Sequence, residues 1–298
     1  MTDSKVLLTN DDGIDAAGLA ALYEELRAVA DVTVVAPADN QSGVGRARSR
    51  AVDVDDHEWG YAVHGTPADC VAYALRAMET EFDLVVSGCN HGPNCGEYIM
   101  GHSGTVGAAV EAAYLGVPAL AVSAYHREEF FPPEGFTFEA PARITRLLAD
   151  HVLSEPDADD DDASRPRAEL AEADYLSVNA PMSATSGDLR LTEPVEDYGV
   201  EVREATDEER ERHDGDWRLE SDFWARFEYA GRNPTLADIG GSYPAWSDRA
   251  AVVAGDVSVS PLRIPQTPVH SEGIDDLVAA VNRAWTAECT EGAAADDD

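Results

Sequence analysis

Short apolar runs alternate with helically spaced segments through the first half of the chain, and the runs carry apolar residues on both faces rather than at every second position. Val6–Thr9, Val32–Ala36, Tyr61–His64, Leu84–Ser87 and Ala119–Ser123 are such runs. Between them, Gly18–Val29 carries Leu19, Leu22, Leu26 and Val29 at helical spacing. Ala68–Met78 does the same with Val71, Leu75 and Met78, and Gly104–Leu115 reads as a further helix. A strand that is apolar on both faces needs cover on both faces, which a parallel sheet between two helical layers supplies. The crossovers between such strands are right-handed. The expected architecture is an α/β fold: a three-layer αβα, Rossmann-like, mostly parallel sheet with a C-terminal β-hairpin extension.

The second half is less regular. Pro141–Leu153 predicts a helix, and Ser154–Arg167, with Asp159 to Asp162 in a row, a solvated loop. Tyr175–Asn179 predicts one more central strand. From Leu189 to Phe227 the text is strongly charged and loosely alternating (Leu189, Leu191; Val200, Val202; Trp217, Leu219), which predicts hairpins projecting from the domain. Val252–Val259 alternates as a strand before Pro261, Ile274–Trp285 is amphipathic, and Glu291–Asp298 is an acidic tail. The division that follows is a catalytic core over 1–188, a projecting oligomerisation segment over 189–245, a closing strand and helix of the core over 246–290, and the tail over 291–298.

Charge excludes several partners. The 298 residues hold 21 Lys+Arg against 58 Asp+Glu, a formal net charge of −37, and Lys5 is the only lysine. Nucleic-acid binders gain affinity by displacing counterions with basic side chains, so this balance argues against one, and against docking on anionic lipid. A folded chain this acidic repels itself in dilute buffer, which points to concentrated salt as its working solvent. Cys70, Cys89, Cys95 and Cys289 form no C-x-x-C pair and read as reduced, small apolar residues of a cytoplasmic protein. No basic region followed by an apolar run opens the sequence, and the longest apolar stretch, Val106–Ala124, is broken by Glu111 and Pro118. The expectation is a soluble protein.

In a doubly wound sheet, ligands bind beyond the carboxyl ends of the strands. The first strand ends in Thr9-Asn10-Asp11-Asp12-Gly13. Two adjacent carboxylates there suit a hard divalent cation, Mg²⁺ or Mn²⁺, with oxygen ligands; the competing reading makes one of them a helix N-cap and Gly13 a turn residue. The second strand leads into Asp39-Asn40-Gln41-Ser42-Gly43, where Ser42 either offers a hydroxyl to the same cation or belongs to a plain turn. The third leads into Cys89-Asn90-His91-Gly92-Pro93-Asn94-Cys95-Gly96, where Asn90 supplies a neutral carbonyl oxygen. Ser103-Gly104-Thr105 opens a helix whose hydroxyls and N–H groups suit an anion, a role compatible with Ser103 as N-cap. Thr66 is a candidate cap for the helix after it. His91 and His102 read either as proton shuttles or ligands, or as exposed loop histidines.

The ordered runs Val6–Ile14, Val35–Gly43, Gly65–Val71, Val86–Asn94 and Ser103–Ala109 resemble the consecutive signatures of the survival protein SurE family, and Val257–Leu262 is similar to that family's closing strand motif. The resemblance covers about residues 5–125 and 245–265. It implies a metal-dependent 5′/3′-nucleotidase or acid phosphatase. Asp11, Asp12, Ser42 and Asn90 would then hold one divalent cation per subunit, with Asn10, Asn94, Ser103, Gly104 and Thr105 around the phosphate. Asp11, Asp12, Asn94 and Ser103 would be the catalytic set. Ala17 stands where the family often has proline, Cys89 where an aliphatic residue is usual, and His102 where tyrosine is common. None of these removes a ligand, whereas 128–245 diverges. Family analogy also points to a homodimer or homotetramer, consistent with Trp217, Phe223, Trp224 and Phe227 in a projecting segment.

The expected reaction is hydrolysis of nucleoside 5′-monophosphates to nucleoside and phosphate by direct attack of water, without a protein nucleophile. Two alternatives stand beside it: a phosphatase that forms an aspartyl-phosphate on Asp11, whose usual aspartate pair is spaced by one residue rather than adjacent, and a nucleotide-binding regulatory module without turnover. A dehydrogenase is a poorer reading still, because no G-x-G-x-x-G follows the first strand.

Overall fold

Val6, Leu7 and Leu8 are all fully buried, and successive side chains of the strand they form point to opposite faces of one sheet. The computed structural model describes residues 4–126, 137–153, 173–182, 188–196, 198–212, 215–222 and 243–264. Strand β1 (Lys5–Thr9) is flanked in parallel by β2 (Asp31–Pro37) and β5 (Leu84–His91). Outside β2 run β4 (Gly60–Val63), parallel, and β3 (Val54–His57), antiparallel to β4. Outside β5 run β6 (Ala119–Tyr125) and β7 (Tyr175–Pro181), both parallel. β11 (Val257–Leu262) closes on β7 antiparallel and carries β8 (Leu189–Leu191) at the edge. The order of this nine-stranded sheet is β3-β4-β2-β1-β5-β6-β7-β11-β8. The chain turns outward in opposite directions from β1 and β5, so these two strands bound the topological switch point.

Two apolar layers complete the sandwich. On one face, α1 (Ala17–Leu26) and α5 (Glu139–Leu153) pack Leu19, Leu22, Leu26, Ala142, Ala149 and Val152 against Val6, Leu8, Val86 and Val122. On the other, α2 (Pro67–Ala77) and α4 (Gly104–Tyr114) pack Cys70, Val71, Ala74, Val106 and Ala109 against Leu7, Val35 and Val85. The α/β sandwich expected from the apolar runs is the architecture observed. Thr66 does cap α2: its side chain accepts from the Asp69 N–H at 3.2 Å while Asp69 accepts from the Thr66 N–H at 2.9 Å, a reciprocal capping box. Cys70, Cys89 and Cys95 are buried free thiols, and burial pushes Cys95 up to about 12. They behave as the small apolar residues expected of them.

Three segments differ from the periodicity reading. The Val252–Val259 stretch is not one strand: α7 (Asp248–Ala254) occupies its first part, capped by Ser247, which accepts from the Ala250 N–H at 3.1 Å, and ended by Gly255 in the left-handed region at φ 81°. The strand begins only at Val257 and runs through Pro261, past the end of β8, where a sheet edge tolerates proline. Leu189–Leu191 belongs to the main sheet and not to a projecting hairpin. The hairpin is formed by β9 (Gly199–Glu204) and β10 (Trp217–Asp222), antiparallel, with α6 (Asp207–Arg212) between them. β3, which is polar, and a short α3 (Glu97–His102) are too brief to show a period. The loop expected over 154–167, the helix over 274–285, the tail over 291–298, and Phe223, Trp224, Phe227 and Cys289 lie outside the described residues.

Candidate active site

The carboxyl ends of β1, β2 and β5 meet over the switch point, and the polar loops that follow them converge there. Neither Asp11 nor Asp12 caps α1, whose N-cap is Ala16 with no side-chain bond, so the simplest competing role for the pair falls away. Asp11 is only 2% exposed. The Thr105 hydroxyl donates to its Oδ1 at 2.6 Å, and the Thr105 backbone N–H also bonds this carboxylate. Burial above all, together with the charge of Asp12, pushes Asp11 above the ordinary carboxylate range, while the Thr105 bonds oppose the shift.

Asp12, half-buried, is reached from both neighbouring strands. Asn40 Nδ2 and Ser42 Oγ donate to its Oδ1 at 3.3 and 3.4 Å, and the His91 N–H donates to its Oδ2 at 3.2 Å. Asn40 also fixes the loop by accepting from the Ser42 N–H at 2.9 Å. β5 is bulged between Ser87 and Asn90 where it runs beside β6. Asn90 Nδ2 donates to the Gly92 carbonyl at 2.7 Å, so Oδ1 is the end of the amide left for a cation.

The protein partners of the two carboxylates are thus neutral donors: a threonine, a serine, an asparagine and the backbone amides of Thr105 and His91. Two carboxylates, a hydroxyl and an amide carbonyl make an all-oxygen donor set of the kind Mg²⁺ and Mn²⁺ take, with room for water. Among the described residues no group of three His, Cys, Asp or Glu side chains gathers to hold a metal, so the serine and asparagine oxygens are what complete this one.

Beside it opens a cleft of about 520 Å³ lined by Asp11, Ser42, Asn90, His91, Asn94 and Ser103, with Tyr98, His102 and Tyr198 also on its wall. Asn94 is buried and fixed: its backbone N–H donates to Asn179 Oδ1 at 2.8 Å and its Nδ2 to Ser123 Oγ at 2.9 Å, leaving the second Nδ2 hydrogen. Ser103 caps α4 by accepting from the Val106 N–H at 3.1 Å, and its own N–H bonds Ile99 and Met100 carbonyls. Of the three N–H groups expected to face an anion, Ser103's closes α3 and Thr105's holds Asp11. Only that of Gly104 remains.

Three expected phosphate contacts are therefore placed elsewhere. Asn10 is fully buried beneath the loop, where Nδ2 ties down the Gly13 carbonyl at 2.8 Å; it does not line the cleft. Thr105 is committed to Asp11. The backbone amide of Asn94, also expected at the phosphate, is taken by Asn179. Gly104 has a steric duty of its own: a Cβ there would stand 2.7 Å from Asp11 Cβ and 2.9 Å from its Oδ2. A side chain would drive the helix start off the carboxylate.

The sequence reading missed Asn40, Ser123, Asn179, Tyr98 and Tyr198. Asn40 sits in a loop already singled out. Ser123 and Asn179 are polar residues near the carboxyl ends of otherwise apolar strands, and Tyr98 stands four residues before His102 on a short helix; each is a readable signal.

Fold and cleft define a doubly wound α/β protein with a set of converging oxygen donors beside a cleft at its switch point. The family described as Survival protein SurE matches residues 6–201. The chain is 45% identical over 279 residues to the 5′-nucleotidase SurE of Natronomonas pharaonis, covering 91% of this chain and 97% of the relative. It is 42% identical over 286 residues to that of Haloarcula marismortui, covering 93% and 95%, and 37% identical over 276 residues to that of Geobacter sulfurreducens, covering 90% and 91%. The crystal structure of the SurE protein from Aquifex aeolicus superposes with a TM-score of 0.65 at 31% identity, covering 88% of this chain and 94% of that one. The chain belongs to the SurE family.

Proposed function

We propose that this protein is a metal-dependent 5′-nucleotidase that hydrolyses nucleoside 5′-monophosphates to nucleoside and phosphate. The observation that carries the reading is the convergence of Asp11, Asp12, Ser42 and Asn90 on one side of a cleft that the start of α4 closes. These four hold one divalent cation per subunit, Mg²⁺ or Mn²⁺. When bound, such a cation lowers the pKa of a water molecule and offsets charge on the phosphoryl oxygens.

The protein contributes position and preset dipoles. Asn94 turns its remaining Nδ2 hydrogen, Gly104 its N–H and Ser103 its hydroxyl toward the phosphoryl group. Asn179 and Ser123 fix the Asn94 amide so that it need not reorganise during the reaction. Asp11, held by two Thr105 bonds, acts as a ligand and not as a covalent nucleophile.

The enzyme works in the cytoplasm, in keeping with its buried free thiols; among the described residues no helix is long and apolar enough to cross a membrane. It assembles as a homodimer or homotetramer through the β9–β10 hairpin. Val200, Val202, Trp217 and Leu219 share one face of the hairpin and are 48–70% exposed, an apolar surface suited to a second copy. The charge balance supports a small anionic substrate over nucleic acid. The test is a panel of nucleoside 5′- and 3′-monophosphates and polyphosphate, assayed for phosphate release in high salt with each metal. Release from the 5′-monophosphates above the others is expected; release from none of them overturns the reading.

A further inference from the structure

Three aromatic rings form a column on the cleft wall. Tyr198 and Tyr98 are stacked, with centroids 3.5 Å apart and planes 15° from parallel, and Tyr98 in turn lies 4.6 Å from the His102 ring at 37°. All three line the same cleft as Asp11 and Asn90. Tyr98, the middle ring, nevertheless remains 43% exposed, so the column stands at the cleft without being buried.

Its mounting ties it to the phosphate end of the cleft. Tyr98 and His102 are one turn apart on α3, and α3 runs directly into Ser103 and the start of α4. At the usual helical rise, Tyr98 stands about 7 Å from Ser103 along the helix axis, a span that a ribose 5-phosphate bridges. The helix is anchored at its other end, where Asp248 Oδ2 accepts from the Gly96 N–H at 2.6 Å. The second ring comes from a different part of the chain: Tyr198 immediately precedes β9, so the base of the hairpin supplies part of the wall.

We propose that the Tyr98–Tyr198 stack, extended by His102, is the platform for the nucleobase, and that it gives the enzyme its preference for nucleotides over simple phosphomonoesters. Every base offers a π-face to such a platform, so the preference is for a nucleobase in general. The inference rests on the nucleotidase reading above, because it takes the phosphate to lie near Ser103 and Gly104.

The test compares AMP with ribose 5-phosphate, which lacks only the base, on the wild-type enzyme and on Tyr98→Ala, Tyr198→Ala and Tyr98→Trp. Phosphate release gives kcat and KM, and calorimetry gives binding of both compounds. Each alanine variant is expected to lower the KM ratio of ribose 5-phosphate to AMP about tenfold, and Tyr98→Trp to restore it. Equal losses on both compounds, or no change in the ratio for either variant, overturn the platform, as does wild-type protein that binds both equally well. Base-dependent AMP binding that the alanine variants lose, in a protein that releases no phosphate, upholds the platform while removing the nucleotidase reading.

Discussion

The Thr105 hydroxyl donates to Asp11 Oδ1 at 2.6 Å, so the start of α4 holds the buried carboxylate at the end of β1. A helix N-terminus that looks in sequence like an anion site for substrate is thus largely occupied by an anion of the protein. That relationship fixes the position of Asp11, the inner ligand of the proposed cation site, and leaves fewer donors for the proposed substrate.

Replacing Thr105 with valine keeps the shape and removes the donor. A buried carboxylate oxygen left without its bond costs about 1–3 kcal/mol. Calorimetric titration of Mn²⁺ should therefore show affinity reduced about tenfold in a chain that still folds; unchanged affinity would mean that Thr105 does not position Asp11.

Gly104→Ala introduces a Cβ 2.7 Å from Asp11 Cβ. Overpacking of this kind costs about 1–3 kcal/mol, and here it displaces a ligand as well. Denaturant unfolding should show the loss, and phosphate release should fall more steeply than stability does.

Asp248 gives a pH dependence outside the metal site. Burial raises its carboxyl to about 6, against bonds from the Gly96, Arg249 and Val195 N–H groups. With the folded pKa above the unfolded one, the folded chain binds the proton more tightly between about pH 4 and 6. The stability from this group is present below that window, declines as pH rises through it, and is level above. Measured against Asp248→Asn, the wild type should lose about 3 kcal/mol at most of relative stability from pH 4 to pH 7. A difference independent of pH would contradict the assignment.

Charge sets the solvent dependence. At a net charge of −37, an anionic substrate is repelled at long range in dilute buffer, and raising salt from about 0.1 M to about 1 M shrinks the screening length from about 10 Å to about 3 Å. kcat/KM for AMP should rise across that range. An optimum in dilute buffer would refute this account of the acidity. Two of the similar proteins come from halophilic archaea, in line with it.

The central sheet was legible because Val6–Thr9, Leu84–Ser87 and Ala119–Ser123 are buried on both faces and carry apolar residues on both. Asp11 and Asp12 were legible as a candidate cation site because paired carboxylates at a strand end need a counter-cation. What periodicity could not show was where backbone donors go. Thr105 and Asn94 have the right chemistry for a phosphate, but tertiary contacts to Asp11 and Asn179, from distant strands, claim their N–H groups. Val252–Val259 reads as a strand because helix and strand patterns overlap when an element lasts only seven residues, as α7 does before Gly255 ends it. Tyr98 and Tyr198 are a hundred positions apart, and only the fold stacks them.

The most direct test of the account is phosphate release from AMP by the wild type and by Asp11→Asn, with Mn²⁺ in high salt and the fold of each checked by circular dichroism. The account predicts metal-dependent release by the wild type and loss of activity in a folded Asp11→Asn variant. Full activity in that variant would contradict it.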